Sequence, residues 1–154
     1  MPTSAQTLVD TVVAVCATLP TTFDTNASTG YPDSNAAITY SDVGQVTDWT
    51  PGGKTVAVTT SNPIAQRGTD KYKATHNFGA DSITVNRDDD DAGQVIILAA
   101  LASDNDYTFR VTYQDSTVDY FTGKIVSFNT SGGSADSMVQ AVIQLERTRI
   151  VVSA

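Results

Sequence analysis

Any catalytic or metal chemistry in this chain would have to start from its one histidine, its one cysteine or its clustered aspartates. His76 and Cys16 each stand alone, so no clustered His/Cys metal site can be built from them. A Ser-His-Asp triad would have to use His76, which ends the alternating stretch TDKYKATH beside a turn; a structural or surface histidine is the simpler reading. Cys16 lies in the apolar run VVAVCA, where a buried, inert thiol is expected. No glycine loop of the GxxxxGK or GxGxxG type is present to cradle a phosphate. The run Asp88, Asp89, Asp90, Asp91 is the best candidate for an ion. A calcium loop, however, needs ligands at alternate positions with a glycine and a distal Glu, and four successive aspartates before an apolar run read more simply as a helix cap. No catalytic, cofactor or metal site is assigned, and no enzyme activity is expected.

The element behind those aspartates is a helix over about 90–102. Its apolar run VIILAALA points in every direction on a 3.6-residue period, so cover is expected on more than one side, partly from another molecule. Val95, Leu98 and Leu101 are expected to pack it.

The rest of the chain reads as β structure. Of 154 residues, seventeen are acidic, and all but Glu146 of these are Asp; with abundant Thr, Ser, Gly and Val this composition favours turns and strands. Strands are expected at 11–17, at 37–46 with a bend near Gly44, at 82–87, and at 107–113. Further strands are expected at 117–128 and at 137–147, where Val139, Ala141, Ile143 and Leu145 face inward. In 117–128 large residues occur at both parities, so either the register shifts near Gly123 or both faces are buried. A long excursion, about 47–81, has few large apolar residues and is read as functional rather than core. Trp49 is placed where it leaves the body. The expected architecture is mainly β: one domain, 1–154, an antiparallel β-sandwich or open barrel with one flanking helix.

Net charge is −8, unevenly spread. Residues 1–53 carry five Asp and no base. The block 54–87 has five bases against two acids, and 88–106 has six Asp and no base. Such a pattern suits complementary faces docking copies of one molecule head to tail. It opposes direct binding of nucleic acid but suits a conduit through which DNA slides. The short, Asp-interrupted apolar stretch near the start gives no signal peptide or membrane anchor.

The succession LPTTFD, ITYSDVGQVTDW and SNPIAQRGTDKYKATHNFGADSITVNRDDDDAGQVIILAALAS, closing with DYTFRVTYQDSTVDYFTGKIVSFNTSGGSADSMVQAVIQLE, resembles the major tail tube proteins of long-tailed, siphovirus-type bacteriophages. The resemblance covers nearly the whole chain and lies in the order of segments rather than in one motif. It implies a fold shared with contractile-tail tubes and the type VI secretion tube. It also implies assembly into stacked, hexameric rings forming a hollow tail tube in the virion, built in the bacterial host cytoplasm. Implied partners are further copies of the chain, the tape measure protein, tail terminator and distal tail proteins, and DNA in transient passage. The excursion would reach toward neighbouring rings. On the residues, Arg67, Lys71 and Lys73 are then expected at inter-ring contacts, with Asp88 to Asp91 as one possible partner. The alternatives are a β-sandwich binding or decoration module of a tail tip, or a type VI secretion-like tube subunit.

Overall fold

The computed structural model describes residues 5–33 and 38–154. Among the described residues ten strands and one helix follow in the order β1 (Val12–Cys16), β2 (Ser41–Asp42), β3 (Val46–Thr50), β4 (Thr55–Ser61), β5 (Asp70–Asn77), β6 (Ala80–Asn86), α1 (Ala92–Leu101), β7 (Tyr107–Thr112), β8 (Val118–Ser131), β9 (Gln140–Arg147) and β10 (Val152–Ser153). The expected mainly antiparallel fold with a single flanking helix is what forms. β2-β1-β7-β8-β9-β6-β3 make one antiparallel sheet, β10 adds to β8, and β4 and β5 pair separately.

Cross-strand pairing sets which side chains meet. Val15 stands opposite Phe109, Phe109 opposite Phe121 and Ile83 opposite Ile143, so each pair shares the inner face. β1 and β3 lie toward opposite ends of the sheet, yet Val13 and Trp49 join one buried cluster with Phe109, Phe121, Ile83 and Leu145. The sheet is therefore rolled on itself, and the Trp49 ring of β3 comes to 6.0 Å from that of Tyr113, just beyond β7. The helix packs on β1, β2 and β8.

The long strand β8 answers both readings of its mixed parity. Asp119 to Gly123 are all buried, so both faces are covered there. Further on, the register with β9 shifts between Ile125 and Ser127, which moves the inward position from Ile125 to Phe128. The outer cover of β8 comes from the polar stretch after β1. Tyr31 stacks on Tyr120 at 5.5 Å, Tyr40 OH donates to the Tyr31 carbonyl, and the Arg110 guanidinium lies 4.6 Å over the Tyr40 ring. The buried thiol of Cys16 sits on this same outer side, accepting from the Thr18 N–H at 3.3 Å.

Several boundaries differ from expectation. Around Gly44 there is a turn, with Gln45 at φ 59°, and not a bent strand; only Ser41–Asp42 pairs before it, while Ala37 lies outside the described residues. Val139 is exposed, because β9 begins only at Gln140. The excursion of about 47–81 is shorter than expected: β3 inserts Trp49 into the core, β6 starts at Ala80, and what lies between is a β-hairpin. Trp49 does mark the point of departure, since Pro51 follows β3 directly. Among the described residues no helix is long and apolar enough to cross a membrane.

Candidate assembly surfaces

The hairpin β4–β5 leaves the body through a tightly built base. Asp81, at the start of β6, and Arg147, at the end of β9, face the core end of the sheet and form an ion pair. Arg147 Nη2 donates to Asp81 Oδ2 at 2.9 Å and Nε lies 2.9 Å from Oδ1, with side-chain exposures of 7% and 0%. The guanidinium also covers the Phe121 ring at 4.6 Å. Both legs of the hairpin are tied to this pair. The Gly52 N–H donates to Asp81 Oδ1 at 2.7 Å, and the Arg147 N–H donates to the Gly79 carbonyl at 2.9 Å. The legs pass so closely that side chains are excluded. A Cβ on Gly79 would stand 2.6 Å from the Gly53 carbonyl oxygen, and one on Gly52 would collide with the Ala80 backbone; Gly79 in addition has φ 98°.

Beyond this base the hairpin is exposed on both faces, including Val58, Tyr72 and Ile64. A lone two-stranded hairpin is at best marginally stable in water, so this one depends on its base and on whatever it meets. It is cationic. Lys54, Arg67, Lys71 and Lys73 stand against Asp70, for +3 of a total of −8, so the remainder carries −11. Arg67 lies in the connection between the strands, and Lys71 and Lys73 lie on β5. Val58 pairs with Lys73 and Thr60 with Lys71, which puts Val58, Lys71 and Lys73 on one face. A register shift between Val56 and Val58 adds a residue on β5, so His76 sits opposite Val56 on that face and not with Tyr72 as simple alternation predicts. His76 lines a groove of about 630 Å³ with Val56, Phe78, Arg147 and Thr148; among the described residues no carboxylate lines it.

At the helix start the four aspartates divide their roles. Asp91 alone is the N-cap: its Oδ2 accepts from the Gln94 N–H at 3.0 Å and from the Gly44 N–H at 3.1 Å. Asp88 Oδ1 accepts from the Asp90 N–H, and Asp89 pairs with Arg87 at 2.8 Å. No acid lies within the first helical turn, so the dipole complement expected of the whole run rests on the residues just before it. Among the described residues no group of metal-ligating side chains forms. Gln94, overlooked in the sequence, is the buried partner: its Nε2 donates to the Gly44 and Asn86 carbonyls and its Oε1 accepts from the Asp88 N–H. The spacing Asp91-x-x-Gln94 is that of a capping box and was its available signal.

The helix packs by a different face from the one expected. Gly93, Gln94, Ile97 and Ala100 are buried against the sheet, whereas Val95, Leu98 and Leu101 are 49%, 37% and 40% exposed. A Cβ on Gly93 would collide with the Asp42 carbonyl oxygen, so β2 passes close to the helix there, while Ile97 and Gln94 fill the interior. Val95, Leu98 and Leu101 point away from the body.

No family model matches the chain, and no curated protein matches it. Solved structures do. A chain of the anti-feeding prophage baseplate superposes with a TM-score of 0.63 at 10% identity, over 100% of this chain and 97% of that one. The SPP1 tail tube matches with a TM-score of 0.59 at 14% identity, covering 94% of this chain and 76% of its own. A chain from the tail of an empty GTA particle, computed with C6 symmetry, gives 0.62 at 10% identity over 96% and 97%. At such identities the likeness is one of fold. The chain has a tail-tube-like fold, of the kind seen in phage tails and contractile injection systems.

Proposed function

We propose that this chain, acting as a single domain over residues 1–154, is a structural, non-enzymatic subunit: the tail tube protein of a siphovirus-type virion.

 Its copies form hexameric rings that stack into a hollow tube. The tube encloses the tape measure protein during assembly in the host cytoplasm, ends on terminator and distal tail proteins, and later conducts DNA. The observation that carries this reading is the whole-length fold match, which reaches 94–100% of the chain in each structure described above. The surfaces support it. A cationic hairpin projects from a body of charge −11, so like bodies attract through unlike parts. The acidic remainder repels DNA, which suits passage without adhesion. In this arrangement Arg67, Lys71 and Lys73 meet an acidic face of the next ring, with Asp88 to Asp90 exposed to receive them.

Charge reversal tests the docking. Lys71 and Lys73 are exposed, and exposed ion pairs contribute only about 0–1 kcal/mol each to stability. Lys71→Glu with Lys73→Glu therefore leaves the fold intact and blocks polymerisation, read by sedimentation velocity. Polymers of wild-type size from the double variant would refute the role given to these lysines.

A further inference from the structure

Two surfaces that one copy leaves uncovered match each other. On α1, Val95, Leu98 and Leu101 recur at three-residue spacing and form an exposed apolar stripe. Acids stand at both ends of it in the chain: Asp88, Asp89 and Asp90 before the helix, Asp104 after it, all exposed. Within the copy Arg87 pairs with Asp89 and Lys124 with Asp106, and the carboxylates of Asp88, Asp90 and Asp104 are the ones a second copy's lysines would meet. On the hairpin, Val58, Lys71 and Lys73 share an exposed face that combines one apolar side chain with two cations. The dimensions agree as well. Val95 to Leu101 spans about 9 Å of helix, and Lys71 to Lys73 spans about 7 Å of strand. Within one copy α1 packs on β1, β2 and β8, while β4 and β5 pair only with each other.

We infer that the Val95–Leu98–Leu101 stripe is the seat for the Val58–Lys71–Lys73 face of a second copy's hairpin. The inference rests on the stacking reading above and specifies which patch receives the hairpin. Val58 covers the stripe, and the two lysines reach the acids beyond its ends. Water leaves the apolar contact, so the ion pairs beside it are less screened than pairs on an open surface. Each copy offers one hairpin and one stripe, and the two differ. The contact is heterologous: it leaves a free hairpin at one end and a free stripe at the other, and so propagates in one direction.

Cysteine pairing between separately purified variants tests this. The native Cys16 is buried and offers no exposed thiol. Val58→Cys and Leu98→Cys are mixed and oxidised with copper phenanthroline. A disulfide-linked dimer in the mixture, absent from either variant alone, is the expected result. No dimer in the mixture overturns the inference, and so does a dimer in Leu98→Cys alone, which would mean that two helices pair. Electron microscopy of the wild type separates the failures. Stacked rings without the cross-link remove only the proposed seat, whereas a wild type that stays monomeric removes the stacking reading with it. As a control for folding, Leu98→Asp keeps the wild-type circular dichroism, because Leu98 is already exposed, and raises the concentration needed for assembly at least about tenfold.

Discussion

Removing Asp81 should unfasten the hairpin and weaken the body together. In Asp81→Ala the Arg147 guanidinium stays in a site where it is 7% exposed, without the carboxylate that lies 2.9 Å from two of its nitrogens. Breaking a buried pair from one side costs about 3–5 kcal/mol. The Gly52 N–H also loses its acceptor at 2.7 Å, adding about 1 kcal/mol. A domain of this kind has about 5–15 kcal/mol in all, so the variant sits near the edge of folding. Urea denaturation of Asp81→Ala, Arg147→Ala and the double variant measures it. The double variant should lose less than the two single losses added together, because both remove the same interaction. Replacing both residues by apolar ones of similar volume, Asp81→Leu with Arg147→Met, should recover much of the stability. It should still leave the hairpin amides near Gly52 exchanging faster than wild type, since their acceptor is gone. Single losses below about 1 kcal/mol, or losses that simply add, would refute the reasoning.

Other outcomes follow from the same geometry. Gly79→Ala should destabilise by at least about 1–2 kcal/mol in thermal melts, from the left-handed backbone and the contact with Gly53. Asp91→Ala should cost about 1–2 kcal/mol because it removes the cap and the Gly44 bond, whereas Asp90→Ala should stay within about 0.5 kcal/mol by the same melts. Burial raises the hydroxyl pKa of Tyr31, Tyr40, Tyr113 and Tyr120. Folded-state values above the unfolded ones give stability that is fully present below about pH 10 and is lost as pH rises through the folded values. Alkaline titration should therefore show tyrosinate absorbance appearing together with unfolding, and ionisation of all four without loss of structure would contradict it.

Local patterns announced most of the sheet. The alternation of Ala141, Ile143 and Leu145, and of Phe109 with Val111, has period two because one face of each strand is buried. Trp49 was legible only as the point where the excursion leaves the body, and β5 alternates in sequence although both of its faces are exposed. The helix was legible in place but not in orientation. A run apolar at every position gives no moment to say which side faces the body; the close approach of the Asp42 backbone to Gly93 and the hydrogen bonds of Gln94 to the Gly44 and Asn86 carbonyls fix it instead. The Asp81–Arg147 clamp left no local trace. Its members are 66 residues apart, and only the pairing of β6 with β9 brings them together. His76 changed face through a bulge, which alternation cannot register.

The most direct test of the central claim is electron microscopy of the purified, concentrated protein. Hollow tubes built from stacked six-fold rings are the predicted result. A uniform monomer at every concentration, with the fold intact by circular dichroism, would contradict it.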